Sequence, residues 1–439
     1  MGKKRLLIEA NEAQTLLLLV LVELLFLFYT VLRGYAACYF WAAIVVMATS
    51  LVVCYWVYCI RDGSVSGLFV VASVLVCENF VFYAATCSQY DDATARMWKQ
   101  LCKYAVILLA AVVLIVLFRK LSFVLSWDKS LPAIVLVQTA LIVITIIVAP
   151  IDHTVANIQP LEVVKLLYLF GVATLICKTE KKPDEKFWFG FDRQTVMLGY
   201  TIYMLLLFLI AGEMGTFLVM MITAGCMMVA YSTNRKKVLV SICAAVLICA
   251  VFVLLCILLH NTNEKFVFTR IYNRIFGFAT AASGVPEKGE LRDIRSAIAT
   301  GGWFGPQYTK YAVSYPYEHT DLAFSKLVQC TGVLMGIVTI VMIFLIFVFG
   351  MRVARATGDS YYSGLAMGFT MMFTVQAFIH IGVNCSLLPV IGIPMPFLST
   401  GFSSMGISMV QLGFLFVIST GSQSRSELDE QRYSFHGEK

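Results

Sequence analysis

Glu318, His319 and Asp321 crowd four positions of the stretch SYPYEHTDLAFSKL, directly before the apolar run LVQCTGVLMGIVTIVMIFLIFVFG. Ionisable groups beside a segment that reads as lipid-buried cost free energy, so their presence asks for a role. They suit an acid/base centre or a salt-bridged loop end. A metal site needs more ligands than three neighbours can supply at one geometry. Thr320 or Asp321 also matches the N-cap preference ahead of LAFSKL, which would account for one acid but not for Glu318 and His319.

Three other stretches place polar groups against apolar runs. In IQPLEVVKLLYLF, Pro160 suits a first helical turn, and Glu162 and Lys165 share a helical face where they can pair. That pair is either a self-neutralising interfacial anchor, the slightly favoured reading on this motif alone, or a cavity lining. In LIAGEMGTFLV, Glu213 falls between two apolar runs, where a polar turn with an acid at the next helix N-terminus is the simple reading. In GVNCSLLPVIGIPMPFLSTGFSS, Pro389, Gly392, Pro394 and Pro396 cannot share one continuous helix. Broken backbone at membrane depth is tolerated where it is buried or lines a cavity, so this segment is expected to form a cavity wall.

These residues require a membrane-embedded frame. The chain has 439 residues, 60% hydrophobic and 13% charged, with mean hydropathy +0.83. Soluble domains carry about 25% charged residues, so this composition belongs to polytopic membrane proteins. Apolar runs predict an all-α transmembrane helical bundle of about 10–12 spans, placed at 13–33, 37–60, 67–87, 102–118, 131–149, 160–178, 194–211, 214–231, 238–259, 327–350, 362–385 and 402–421. The first is read as a retained anchor, and MGKKRL lacks the Ser or Thr of a myristoylation signal. Lys and Arg cluster in alternate short connections, which predicts both termini in the cytoplasm and the long loop 261–326 outside, between the fourth-last and third-last spans. The net charge of +7 follows from that inner-face excess and does not call for nucleic acid. The long loop holds eight Lys/Arg against six Asp/Glu, and its aromatic and Gly punctuation predicts that it folds on the outer face. KTEKKPDEKFWFGFDR reads as an interfacial segment and 426–439 as a mobile cytoplasmic tail. Of thirteen cysteines, only Cys87 and Cys102 bracket an outer connection, and packing roles suit them better than pairing.

In their order and spacing these pieces resemble the SEDS family (shape, elongation, division and sporulation), the FtsW/RodA/SpoVE-type membrane glycosyltransferases. The family motif Q-P-S-E-x-x-K is similar to Gln159-Pro160-Leu161-Glu162-Val163-Val164-Lys165, and P-D-x-G-T to Gly212-Glu213-Met214-Gly215-Thr216. P-E-x-H-T-D-F-I-F resembles Pro316 through Phe324, and N-I-G…L-L-P-V-x-G-I-P-x-P-F-x-S-Y-G-G-S-S resembles His380-Ile381-Gly382 and then Leu387 through Ser404. The chain departs by carrying Tyr317 at the family's loop Glu and Arg295 at a usual Gln. Ser399-Thr400-Gly401-Phe402 stands at S-Y-G-G, and five spans precede Gln159 where three are usual. The resemblance divides the chain into extra N-terminal spans (1–150), a glycosyltransferase core (151–425) containing the loop 261–326, and the tail.

The resemblance implies a bacterial cytoplasmic-membrane enzyme that polymerises lipid II at the outer face during division, elongation or sporulation. Asp321, at the family's essential acid, would deprotonate or orient the acceptor hydroxyl as it attacks the donor anomeric carbon. Arg270, Arg274, Arg292, Arg295 and Lys165 would supply the cations at the pyrophosphate leaving group. Gly301, Gly302 and Gly305 would let backbone approach the substrate. Gln159, Glu162, Glu213, Glu318, His319, Thr320, Pro394, Pro396 and Ser399 would support or line the site. No cofactor is required, although a divalent cation is compatible with the chemistry. Implied partners are lipid II, the growing glycan strand, a class B penicillin-binding transpeptidase and membrane lipids. The alternatives are a lipid-linked precursor flippase or transporter and a non-catalytic scaffold of the wall-synthesis machinery.

Overall fold

The computed structural model describes Leu21 and residues 63–87, 93–125, 130–148, 159–181, 186–188, 190–232, 234–260, 267–282, 290–305 and 315–436. Apart from Leu21, the predicted spans 13–33 and 37–60 lie outside these residues.

The described chain is a helical bundle. In order it forms α1 (Gly63–Cys87), α2 (Ala93–Leu125), α3 (Leu131–Val148), α4 (Pro160–Lys181), a hairpin of β1 (Lys186–Trp188) and β2 (Phe191–Asp192), α5 (Arg193–Ala211), α6 (Met214–Tyr231) and α7 (Arg235–Leu259). The long loop contributes α8 (Val267–Ala282) and α9 (Glu290–Gly301). Then come α10 (Ala323–Thr331), α11 (Val333–Ala356), α12 (Ser360–Asn384) and α13 (Phe402–His436). Every span expected between 67 and 259 is one of these helices, and the interfacial segment folds as the small antiparallel hairpin. Asp192 closes that hairpin and caps α5 through the Thr195 N–H, while its carboxylate pairs with Lys237 at 2.7 Å. The helical backbone of α13 continues through the tail to His436.

Among the described residues, six helices are long and apolar enough to cross a membrane by length and composition. Their surfaces say which faces meet lipid. On α7, Leu239, Val246, Leu247 and Leu258 are each at least 60% exposed. Such a face in water would forgo about 25 cal/mol per Å² of apolar area, so it belongs in hydrocarbon. By contrast α12 is the bundle's axis: it packs on α4, α6, α11 and α13, and nearly all its side chains from Gly364 to Asn384 are buried.

One expected span is corrected. The run 327–350 is two helices, because Gly332 breaks it with φ 99°, a left-handed conformation that disfavours any side chain. A Cβ on Gly332 would also stand 2.4 Å from the Trp303 carbonyl oxygen. The turn 302–305 is stitched there by Val333 N–H to Gly302 O at 2.9 Å and Leu334 N–H to Trp303 O at 3.2 Å. The glycines expected to admit substrate therefore admit the protein's own backbone: a Cβ on Gly301 would lie 2.3 Å from the Val328 carbonyl oxygen, and one on Gly305 would lie 2.9 Å from that of Cys330.

Candidate functional site

The loop 315–322, the broken segment 385–401 and the ends of α1 and α12 meet at one place. The turn after Met395 is closed by Ser399, whose Oγ accepts from the Met395 N–H and donates to the Thr320 carbonyl, both at 2.7 Å. Thr400 N–H donates to the His319 carbonyl at 2.9 Å. Broken backbone and acid loop thus satisfy each other's polar groups, as burial demands. The turn holds Phe397 in a left-handed conformation, φ 62°, fully buried and stacked on Phe373 with ring centroids 5.5 Å apart. Strain of this kind costs on the order of 1–3 kcal/mol and persists where surrounding structure imposes it. The Asn79 side chain of α1 donates to the Leu398 carbonyl and adds to that hold.

Asp321 is half-buried at this junction, with Oδ2 3.4 Å from the point where a Cβ on Gly392 would stand. Neither it nor Thr320 caps the following helix. The N-cap of α10 is Leu322, without a side-chain bond, and the first free N–H groups go across the bundle: Phe324 N–H to His380 Nε2 at 3.3 Å and Ser325 N–H to Asn384 Oδ1 at 2.9 Å. Asp321 stands beside that helix N-terminus, where negative charge is favoured.

Glu318 is a strut within the loop. It is 4% exposed, pairs with the fully buried Lys326 at 2.8 Å and accepts from the Tyr315 N–H at 3.2 Å. Lys326 also lies 5.2 Å from the centre of the Tyr315 ring, whose hydroxyl pKa burial pushes well up. Tyr317, at the family's Glu position, is 60% exposed with φ 62° and takes no such part. His319 lies between the rings of Phe82 and Tyr83, at 5.8 and 5.4 Å, with Nδ1 3.4 Å from Thr86 Oγ1 and Nε2 3.6 Å from Glu318. Burial holds its pKa below the ordinary value; Glu318 opposes this, and Lys326 and Arg96 reinforce it.

The pair Glu162–Lys165 is buried in the bundle at 2.7 Å, which corrects the interfacial-anchor reading. Lys165 also donates to Gln376 Oε1 at 3.1 Å, and Gln376 Nε2 donates to the Pro394 carbonyl at 2.9 Å. The Pro396 carbonyl accepts from Leu398 N–H at 2.8 Å. Gln159 N–H donates to Ser403 Oγ at 2.7 Å, fastening the start of α4 to α13. Glu213 precedes α6 without capping it and accepts instead from Thr216 Oγ1 at 3.2 Å. Its neighbour Gly215 packs so closely that a Cβ would meet Ile393 at 2.3 Å, so this motif too abuts the broken segment.

The expected cations are less gathered. Lys165 is committed to Glu162, and Arg295 is exposed on α9. Arg270 and Arg274 have their backbone on α8, with side chains outside the described set. Sequence reasoning missed Lys326 as a partner of Glu318, and missed Asn79, Arg96, Gln376 and Asn384. The signal available was spacing: Gln376, His380 and Asn384 recur every fourth residue in a mostly apolar span. Among the described residues, no group of three or more His, Cys, Asp or Glu could hold a metal ion.

Fold and site together define a multi-pass membrane protein whose acid-bearing loop closes onto a broken membrane segment. The FtsW/RodA/SpoVE family, described as cell cycle proteins, matches residues 64–424, and the chain belongs to it. A Geobacter sp. (strain M18) relative named "Probable peptidoglycan glycosyltransferase FtsW" is 33% identical over 273 residues, covering 60% of this chain and 69% of that protein. A Bacillus subtilis (strain 168) relative of the same name is 26% identical over 268 residues, covering 60% and 64%. One solved structure, described as the structural coordination of polymerization and crosslinking by a peptidoglycan synthase complex, superposes with TM-score 0.57 at 18% identity over 81% of this chain and 97% of that one. The Thermus thermophilus rod shape determining protein RodA gives TM-score 0.51 at 18% identity over 81% and 96%. These two structures share the fold.

Proposed function

We propose that the chain is a peptidoglycan glycosyltransferase that polymerises lipid II. The observation that carries this reading is Asp321: a half-buried carboxylate set against Gly392 in the broken segment, on a loop tied to that segment where Ser399 and Thr400 bond the carbonyls of Thr320 and His319. In the reaction, the acceptor sugar hydroxyl gives its proton to Asp321 as its oxygen bonds to the donor anomeric carbon. The bond from that carbon to the pyrophosphate oxygen breaks, and the lipid pyrophosphate leaves with the electron pair. General-base help of this kind is worth typically about 10²–10⁴-fold. Arg295, Arg270 and Arg274 on the loop helices are the cations assigned to the departing pyrophosphate, for which the guanidinium fork suits phosphate oxygens. A divalent cation would add to that charge without replacing Asp321.

Both termini face the cytoplasm in this reading, and the loop bearing Asp321 faces outward, where lipid-tethered donor and acceptor meet. A class B transpeptidase is the assigned partner; the structural likeness to a synthase complex that couples polymerization to crosslinking supports it. The test is purified Asp321→Asn in a lipid II polymerisation assay. Loss of glycan chains, on the order of 10²-fold or more, is expected with the melting temperature unchanged. Normal polymerisation by a folded Asp321→Asn protein would refute the assignment.

A further inference from the structure

One face of α12 carries Gln376, His380 and Asn384, four residues apart, so their side chains form a single stripe. His380 and Asn384 have no exposed surface and Gln376 is 6% exposed. Each joins parts of the site that are distant in the chain. Gln376 links Lys165 of α4 to the Pro394 carbonyl. His380 links the Ile393 carbonyl, 2.6 Å from Nδ1, to the N–H of Phe324 at Nε2. Asn384 donates to the Asp321 carbonyl at 3.1 Å and to the His380 carbonyl at 2.9 Å, and accepts from the Ser325 N–H.

We infer that His380 and Asn384 are positioning residues for Asp321, setting the register of the acid loop against the Gly392 turn; the inference rests on the glycosyltransferase reading above. The contacts run without a gap from Asp321 to Asn384, from Asn384 to His380, and from His380 to Ile393, the neighbour of the glycine that the acid faces. Their chemistry allows one arrangement. The Ile393 carbonyl can only accept and the Phe324 N–H can only donate, so His380 is the neutral tautomer with its proton on Nδ1. Asn384 must present its NH₂ to two carbonyls and its oxygen to an N–H, a demand that Asp, Leu and Ser cannot meet. The stripe sits on a largely buried helix packed against α4, α6, α11 and α13, which gives the loop a rigid reference. Proton transfer needs that rigidity, since a displacement of about 1 Å can cost on the order of 10²-fold in rate.

The test uses the full chain in lipid nanodiscs, with lipid II as substrate, and reads kcat, KM and hydrogen exchange in peptides covering Phe324 and Ser325. Asn384→Leu and His380→Leu are expected to lower kcat by about 10²-fold with KM within about twofold, and to speed exchange. Asn384→Asp, nearly isosteric, keeps the acceptor but sets a carboxylate against two carbonyls, and is expected to show the same loss in a folded protein. His380→Asn keeps a donor at the place of Nδ1 and is expected to retain most activity. Unchanged kcat and unchanged exchange in Asn384→Asp and His380→Leu would overturn the inference. Asp321→Asn in the same assay separates the two ideas. If it polymerises normally, the acid assignment falls, and exchange at Phe324 and Ser325 alone decides whether the stripe holds the loop.

Discussion

Lys326 Nζ lies 2.8 Å from Glu318 Oε2, and both side chains are buried. They stand eight positions apart, yet the loop folds back so that the first buried turn of α10 neutralises the acid three places before Asp321. Removing one partner of such a pair leaves an uncompensated buried charge, worth about 3–5 kcal/mol. Lys326→Met is therefore expected to lower thermal stability by about that amount, and adding Glu318→Gln to restore most of it. Melting curves of the three proteins in one detergent measure this. A Lys326→Met protein as stable as the parent would show that the pair does not hold the loop.

His319 supplies a pH dependence with a definite sign. Its pKa in the fold lies below the ordinary 6.5 because burial disfavours the imidazolium, so the unfolded chain binds the proton more readily. The stability it contributes is complete above pH 6.5 and is lost as pH falls below that value towards the folded pKa. Melting temperature should decline from neutral pH to about pH 5, and less steeply in His319→Gln. Parallel declines in the two proteins would remove His319 as the cause.

Gly392 has φ 64°, and the place of its missing Cβ faces Asp321 Oδ2 at 3.4 Å. Gly392→Val would strain the backbone by on the order of 1–3 kcal/mol and set methyl groups where the carboxylate works. Polymerisation should fall on the order of 10²-fold, more than the stability change explains, because the acid is displaced from its proton acceptor geometry. Activity assays paired with melting curves test it; loss of both in proportion would mark a purely structural glycine.

Gly332→Ala should destabilise without touching the chemistry. The new methyl would meet the Trp303 carbonyl oxygen at 2.4 Å and the Gly305 nitrogen at 2.5 Å, backbone atoms that cannot step aside. Overpacking of this kind costs typically about 1–3 kcal/mol, and a left-handed backbone adds to it. Denaturant titration reads the loss; a neutral result would mean that the 302–305 turn moves freely.

Much of the frame was legible because hydrocarbon imposes simple rules. Long apolar runs from α1 to α7 are helices where hydropathy places them, and the prolines at 389, 394 and 396 do fall in non-helical backbone. Hydropathy could not see the break at Gly332, since the run 327–350 averages apolar across it and the cause is a backbone angle. Local pairing rules found Glu162 with Lys165 but not their third member, Gln376, which is 211 residues from Lys165. They also assigned the start of α10 a cap from its own sequence, whereas its donors turn to α12. Lys326 was counted as one of eight loop cations, and only packing shows it inside the fold.

The cap of α10 is supplied by a helix that begins nearly forty residues later in the chain, and this bears on how the protein can be recombined with its relatives. A graft of residues 315–331 alone would arrive with two amides that the recipient has no side chains to receive, unless it carries matching acceptors at 380 and 384. Loop and span therefore form one transplantable unit, and chimeras cut between them should misfold while those that carry both across should not.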